Sequence, residues 1–294
     1  MYKRHEFLIL PAKNRCCIHI VPGVEEMKKI EMVYAEILKR QVVNINDLND
    51  IMSSVFEKPI NYKYFYNQYL LKLIRENKLA RIRKGLYYGI DIYSDKKSGP
   101  DKYLISAKLK KSYYLGYHTA LELHGCAYSS YNRCYIVIEP ESKFDSFSFN
   151  NMNFQPVFHK DIDSFIDKIK YSNQSIRVSN PSRTFVECLD RPELCGGWEE
   201  VLKSLDSLGN VKINEILTII KRYDKQILYR KCGYVLDILM EYSPYYGHIK
   251  EQKGLLPINK NASKLFIEKN NRGKYISKWK LFVPFDFVEL IKGV

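Results

Sequence analysis

The chain has 294 residues, of which 46% are hydrophobic and 27% charged, and its formal net charge at pH 7 is +14. This composition is typical of a globular protein long enough for two domains, and no apolar stretch approaches the ~20 residues that a membrane-spanning helix needs. The apolar run at residues 7–10 ends at Pro11 and is too short for a secretory signal, so we expect a soluble protein without an export signal or a membrane partner.

The cysteines are scattered and include no C-x-x-C pair. There are seven of them, and an odd number without paired spacing argues against a disulfide framework and favours a reducing, cytoplasmic location. The nearest candidate for a zinc site, Cys16, Cys17 and His19, lacks a second pair of ligands. We therefore expect free thiols, and neither a bound metal nor a cofactor.

Three helices and a hairpin are predicted in the first hundred residues. Apolar residues recur at helical spacing over residues 25–40 and 62–77, and Asn46 is a suitable N-cap for a short helix over residues 46–52. Two short strands within residues 79–89 turn at a Lys-Gly pair. The order helix, helix, helix, hairpin is typical of a winged helix-turn-helix domain.

Positive charge is concentrated in the same part of the chain. Residues 1–99 contain 18 basic and 11 acidic residues, residues 100–249 contain 19 and 18, and residues 250–294 contain 10 and 4. Residues 58–84 hold eight basic residues against the single acid Glu76. Such a local excess is typical of a protein that binds a phosphate backbone, although a solvated basic surface would give the same count.

A winged helix presents the N-terminal half of its third helix to base edges in the major groove of double-stranded DNA, while the wing contacts phosphates. Asn and Gln side chains pair with adenine and Lys pairs with guanine, so the residue types suit direct readout. The predicted DNA contacts lie on the polar side of the third helix and on the wing: Lys63, Tyr64, Asn67, Gln68, Lys72, Arg75, Arg81, Arg83 and Lys84. A small helical domain that docks onto another protein is the alternative interpretation.

A polar, turn-rich stretch at residues 94–100 marks the boundary to a second domain. We predict an extension of unknown role over residues 1–24 and the winged-helix domain over residues 25–95. Residues 100–294 form a larger domain that we expect to fold on its own. Its helices and strands do not alternate as βαβ units do, so the predicted fold class is α+β. The helices are predicted over residues 101–110, 116–124, 180–190, 198–205, 213–223, 227–242 and 285–291, and the strands over residues 134–139, 147–149, 154–158, 175–178, 264–267 and 279–283.

The second domain contains few chemical motifs. It has no phosphate-binding glycine loop, no G-x-S-x-G and no H-E-x-x-H, so we expect no catalytic residue. His118 and His124 are six residues apart, which places them on different faces of a helix and favours packing roles. One polar cluster stands out: Arg183, Glu187, Asp190, Arg191 and Glu193. It could bind a divalent metal as in a nuclease, but an ion-paired set of helices is favoured because Arg183 and Glu187 are four residues apart.

Three stretches together resemble the AbiEi family of prokaryotic antitoxins. They are the wing at residues 79–89, residues 113–125, and above all the run SRTFVECLDRPELCGGWEEV at residues 182–201. The resemblance covers residues 25–205 in order, and beyond residue 211 only the general outline and the closing strand near Trp279 are similar. The fold that it implies is a winged-helix regulator with a larger C-terminal antitoxin domain.

The resemblance also implies a function. Such a protein belongs to a type IV toxin-antitoxin system in phage defence, represses its own promoter, which is expected to contain inverted repeats, and opposes a nucleotidyltransferase-type toxin encoded beside it. No stable complex with the toxin is implied. Arg183, Asp190 and Arg191 lie in the most specific stretch and are the candidates for an antitoxin surface. A stand-alone regulator with a ligand-binding or dimerising second domain, and a metal-dependent nuclease, remain as alternatives.

Overall fold

The computed structural model describes residues 22–92, 99–247, 249, 263–268 and 273–292. Nearly all of the predicted N-terminal extension, including Cys16 and Cys17, and most of the predicted boundary at residues 94–100 lie outside the described residues. The described residues form a mixture of helices and mainly antiparallel strands, which confirms the predicted α+β class. No helix among them is long and apolar enough to cross a membrane.

The first part contains the three predicted helices and the predicted hairpin. In chain order its elements are α1 (Pro22–Arg40), β1 (Val42–Asn44), α2 (Ile45–Val55), α3 (Tyr62–Phe65), a π-helical turn (Tyr66–Leu70), α4 (Leu71–Arg75), β2 (Leu79–Arg83) and β3 (Leu86–Gly89). The segments α3, π-helical turn and α4 follow without a break and are called the 62–75 helix. The three-residue strand β1 has no counterpart among the predicted elements.

Helix α2 begins at Ile45 because Asn44 caps it. The Oδ1 atom of Asn44 accepts a hydrogen bond from the backbone N–H of Asp47 at 3.1 Å, and the Asp47 carboxylate accepts one from the backbone N–H of Asn44 at 2.9 Å. This reciprocal pair is a capping box, which satisfies two backbone donors at the helix start. The predicted N-cap at Asn46 is therefore wrong, and the acidic residue three positions after Asn44 was the signal for the correct one.

The small sheet of the first part has the strand order β1-β3-β2, with both pairings antiparallel. Side chains alternate between its two faces, as in any strand. Val43 and Tyr87 belong to the apolar cluster of the three helices, whereas Val42 and Leu86 belong to a cluster with residues of the second part. Both faces of this sheet are thus covered, one by helices and the other by the second part of the chain.

The second part contains a six-stranded mixed sheet with the strand order β6-β7-β5-β4-β9-β8. Its strands are β4 (Tyr114–Leu115), β5 (Arg133–Ile138), β6 (Phe147–Phe149), β7 (Met152–Phe158), β8 (Ile166–Tyr171) and β9 (Gln174–Ser179). Its helices are α5 (Lys102–Ala107), α6 (His118–Leu123), α7 (Pro181–Asp190), α8 (Trp198–Ser207), α9 (Ile213–Tyr223) and α10 (Gln226–Tyr242), with 3-10 turns at Pro140–Ser142 and Pro192–Cys195. The predicted helices are present within a few residues, and β4 and β8 are additional strands.

The two faces of the six-stranded sheet are covered by different elements. Tyr135 and Val137 of β5 pack into the larger core with helices α7 to α10. Ile136 and Ile138 of the same strand face the other way, into the cluster that includes α5, Val42 and Leu86. Residues 101–294 alone would lose part of this second cluster, so experiments that separate the functions of the two parts should use the full chain.

Polar contacts also join the two parts. The Lys108 ammonium forms an ion pair with Asp47 at 2.8 Å, and the Asn44 side chain donates to the carbonyl of Lys108 at 3.1 Å. Gln174 donates to the carbonyl of Arg40 at 2.9 Å. Because these groups are half-buried at the boundary, they fix the position of helix α2 against the second part.

A three-stranded sheet near the C-terminus is formed by β10 (Leu265–Phe266), β11 (Lys274–Ile276) and β12 (Leu281–Val283), followed by helix α11 (Glu289–Lys292). It packs against α10 through Trp279, whose indole N–H donates to Asp237 at 2.7 Å. A Cβ atom at Gly233 would lie 2.0 Å from this indole ring, so the close approach of helix and ring requires glycine. The five cysteines within the described residues are all buried and free, as expected.

Candidate nucleic-acid interface

The 62–75 helix presents a polar surface to solvent. Asn61 caps its start, since its Oδ1 atom accepts a hydrogen bond from the backbone N–H of Lys63 at 2.7 Å. Its buried side chains are apolar: Phe65, Tyr69, Leu70 and Leu73. The six predicted DNA contacts on this helix are all exposed: Lys63, Tyr64, Asn67, Gln68, Lys72 and Arg75.

The middle of the helix widens into the π-helical turn, which contains Asn67 and Gln68. Regular helical spacing predicts Tyr66 and Ile74 on the core side, but Phe65 and Tyr69 are buried more completely. The wider turn shifts the phase of the side chains that follow it, and such turns are frequent at functional sites. The turn places two amide side chains next to each other on the exposed surface.

Arg81 extends this surface onto strand β2. Its side chain is exposed, and its positive charge acts on the hydroxyl groups of Tyr62 and Tyr87, which hydrogen-bond each other. Burial raises the pKa of Tyr87 to about 12, and Tyr62 and Tyr66 also raise it, while Arg81 opposes the shift. The two tyrosines therefore stay neutral at physiological pH.

The tip of the hairpin is the turn at Lys84 and Gly85. Gly85 has φ +76°, a conformation that favours glycine, and a Cβ atom there would lie 2.9 Å from the side chain of Ile45. Lys84 is exposed, as predicted. The other predicted wing residue, Arg83, is half-buried: its guanidinium lies 4.7 Å from the ring centre of Phe147 in the second part. Arg83 is thus held at the boundary between the two parts.

The cations on this surface are not neutralised by the protein itself. Across the part of the chain that the structure describes, no ion pair involves Lys63, Lys72, Arg75, Arg81 or Lys84. The one acid of residues 58–84, Glu76, pairs with Lys78 at 2.8 Å. Basic side chains with no acidic partner attract an anionic ligand more strongly than paired ones, because nothing in the protein already compensates their charge.

The basic surface continues where the two parts meet. A crevice of about 280 Å³ beside the hairpin tip is lined by Arg83, Lys84, Lys108 and Lys110, together with Asn46. Lys108 and Lys110 are not among the predicted contacts, because they lie in the near-neutral second part and only the folded chain brings them to the hairpin. The sequence signal was weak, a short basic run at residues 108–111.

Arg183, predicted at an antitoxin surface, is instead buried with only 1% of its surface exposed. Its guanidinium donates to the Glu187 carboxylate at 2.8 Å, to the Tyr114 hydroxyl at 2.7 Å, and to the carbonyl oxygens of Ser164 and Asp161, both at 2.6 Å. Burial by itself would lower its pKa, but Glu187 and Tyr114 raise the pKa above its ordinary value, so the group is charged. The prediction that Arg183 is a surface residue is wrong, because helix α7 lies in the core and its residues from Ser182 to Leu189 are all buried, the polar ones included.

The other two candidates of that cluster differ in exposure. The Asp190 side chain is only 9% exposed and forms an ion pair with Lys225 at 2.6 Å, so it too belongs to the packing of helices α7 and α10. Arg191 has a side chain that is 42% exposed; it pairs with Glu193 at 3.0 Å and lies over the ring of Tyr117. Of the three, Arg191 alone is accessible to a partner.

The favoured interpretation of this cluster as an ion-paired set of helices is confirmed by the pair Arg183–Glu187. Within the described residues, no group of three His, Cys, Asp or Glu side chains is placed to hold a metal ion. The nuclease alternative therefore has no metal site in that portion of the chain.

The two histidines have packing roles. His118 is buried, stacks on Tyr131 with 3.9 Å between ring centres, and lies 3.2 Å from the Glu200 carboxylate. Burial lowers the pKa of His118, although Glu122 and Glu200 oppose the shift. His124 hydrogen-bonds the carbonyl of Ser179 at 2.8 Å. The side chains are on different faces of α6, as their spacing predicts.

The fold and the exposed basic surface together define an α+β protein with a helix-and-hairpin part packed on a larger sheet-and-helix part. No family model matches the chain, and no curated protein matches it significantly. The chain is similar in fold to the crystal structure of the RV2827C protein from Mycobacterium tuberculosis, with 13% identical residues and a TM-score of 0.62. The likeness covers 91% of this chain and 95% of that one, and at this identity it shows the fold alone.

Proposed function

We propose that residues 22–92 form a winged-helix domain that binds double-stranded DNA. The element order and the sheet order β1-β3-β2 fit this interpretation, with the 62–75 helix as the recognition helix and the turn at Lys84 as the tip of the wing. The single observation that carries the proposal is the placement of Asn67 and Gln68 on one exposed surface among cations that have no acidic partner within the described residues. Amides can read adenine in the major groove while the cations hold phosphates on either side.

In this arrangement the side chains have different tasks. Lys63, Asn67 and Gln68, near the N-terminal half of the helix, reach base edges, whereas Lys72 and Arg75, nearer its C-terminal end, reach the phosphate backbone, as does Arg81 from the adjacent strand. Lys84 contacts a phosphate or the minor groove. The protein then acts as a regulator of transcription, and the resemblance to AbiEi antitoxins points to its own promoter as the target.

Removal of a phosphate contact tests this assignment. We expect Lys72→Ala and Arg81→Ala each to weaken binding to every duplex by a similar factor. Each should also reduce the slope of log affinity against log salt by about 1, because one fewer counterion is released on binding. The measurement is fluorescence anisotropy with the full chain between low and physiological salt. Lys212→Ala is the matched control, since it removes an exposed lysine from helix α9 on the other side of the large sheet. Equal slopes for all three variants and the wild type would contradict the assignment.

We further propose that the second part carries an antitoxin activity, on the basis of the resemblance at residues 182–201. The exposed end of that stretch is the turn that begins at Arg191 and continues through Gly196 and Gly197, which have φ +87° and +93°. Gly196 also faces Tyr131, whose hydroxyl would lie 2.0 Å from an added Cβ atom. The turn thus presents Arg191 and Glu193 to solvent in a fixed conformation, next to the buried helix α7.

An antitoxin activity predicts that the full chain protects cells against a nucleotidyltransferase-type toxin encoded beside it. We expect Arg191→Ala to reduce protection while DNA binding stays unchanged and the melting temperature changes little, because the ion pair of this half-exposed side chain with Glu193 is at the surface. Lys221→Ala, an exposed cation on α9, is the control and should protect fully. Failure of the wild-type chain to protect would refute the antitoxin proposal. Full protection by Arg191→Ala would show that Arg191 does not belong to the surface that carries the antitoxin activity.

A further inference from the structure

Three aromatic side chains form a row across the C-terminal sheet. Phe266 of β10 is directly opposite Phe282 of β12, and Phe282 is directly opposite Tyr275 of β11. The ring centres of Phe266 and Phe282 are 4.8 Å apart with nearly parallel planes, and those of Phe282 and Tyr275 are 4.9 Å apart with tilted planes. Phe266 and Phe282 thus stack face to face, and the three rings form a row across all three strands, which we call the aromatic row.

The aromatic row is the outer face of this sheet. The alternate residues Leu281 and Val283 are buried in the large core with Ile267. By contrast, Phe266 is 49% exposed, and Tyr275 and Phe282 are half-buried. The inner face alone anchors the sheet to the rest of the protein, so the outer rings are not needed to fill the core.

Positive charge surrounds the aromatic row. The Lys264 ammonium lies 4.8 Å from the ring centre of Tyr275, and Lys274 is exposed on the strand that carries Tyr275. The sequence from residue 250 to the end has ten basic and four acidic residues. A polyanion is the ligand that such charge favours.

We propose that the aromatic row binds single-stranded nucleic acid, with a base stacked on the exposed ring of Phe266 and with Lys264 at a phosphate. Aromatic rings on a sheet face, bordered by cations, suit unpaired bases because every base offers a flat face for stacking. A duplex cannot use such a surface, since its bases are already stacked on one another. This site is separate from the 62–75 helix and does not depend on the duplex DNA proposal.

The test uses the full chain and two fluorescent 12-nucleotide probes, one of single-stranded RNA and one of single-stranded DNA, in low salt. We expect Phe266→Ala to weaken binding by about five-fold or more, as the loss of one stacked base implies, and Phe266→Trp to retain it. Phe285→Ala is the matched control, because Phe285 is a 77% exposed phenylalanine of the same segment outside the row. Binding of a duplex DNA probe should be equal in all variants. The stronger of the two single-stranded probes identifies the natural strand type.

Several results would overturn the proposal. One is the absence of binding to both single-stranded probes by the wild-type chain, and another is an equal loss of binding in Phe266→Ala and Phe285→Ala. The third concerns folding, because cross-strand aromatic pairs also stabilise a sheet. If Phe266→Ala and Phe266→Trp lower the melting temperature and both lose single-strand binding, the row is a structural feature and the proposal is wrong.

Discussion

Arg183→Ala is expected to destabilise the protein by about 3–5 kcal/mol. The substitution leaves the buried Glu187 carboxylate without its cation and removes donors from the Tyr114 hydroxyl and two backbone carbonyl groups. The second oxygen of Glu187 already lacks a hydrogen-bond partner within the described residues, so the network cannot compensate. The measurement is thermal or urea unfolding of the full chain, with a melting temperature that should fall by roughly 10 °C.

Arg191→Ala is the control for this experiment, because it removes the same type of side chain from the same stretch of sequence. Its side chain is 42% exposed, pairs with Glu193 at the surface and lies over the ring of Tyr117, so we expect a change of at most ~1 kcal/mol. If the two variants were equally stable, Arg183 would not be the centre of a buried network. A large loss of stability in Arg183→Ala, but not in Arg191→Ala, would show that part of residues 182–201 is needed for folding.

Gln68→Ala and Asn67→Ala are expected to relax the sequence preference of the protein for DNA. Each amide that pairs with a base should contribute about 1–3 kcal/mol of discrimination, because the wrong base leaves its polar groups without partners. Affinity for the preferred duplex should fall, whereas affinity for a shuffled duplex should stay nearly constant. The measurement is the ratio of these two affinities at one salt concentration.

The matched control is Gln226→Ala, which removes an exposed glutamine from the start of helix α10 in the second part. This variant should keep the wild-type ratio of affinities. The opposite pattern, in which Lys84→Ala changes the sequence preference and Gln68→Ala does not, would mean that the hairpin rather than the 62–75 helix reads the bases.

Local sequence signals predicted the helices and most strands. The 62–75 helix and the hairpin turn at Lys84 follow from helical periodicity and from a lysine-glycine pair between short apolar runs. Strand β1 has only three residues, too few for an alternating pattern, and is fixed by pairing with β3. Strand β8 lies at an edge of the sheet and has the sequence IDKIKY, in which the charged residues Asp167, Lys168 and Lys170 resemble a solvated loop.

Long-range contacts explain what the sequence could not predict about the candidate sites. Arg83 lies on Phe147, which is 64 positions away, and no local pattern indicates that contact. Arg183 looks like a surface residue because it is charged, yet it is surrounded in sequence by Phe185, Val186 and Leu189. Arg183, Glu187 and Asp190 share the polar side of this amphipathic helix, so helical periodicity gives no signal for the burial of Arg183.

The most direct test of the account is binding of the full chain to double-stranded DNA from its own upstream region, measured over a series of salt concentrations. The account predicts a complex at low salt that weakens steeply as salt rises, with a log-log slope of about −0.9 for each phosphate contacted, and a preference over a shuffled duplex. The absence of a complex at low salt, or a complex whose affinity does not change with salt, would contradict it.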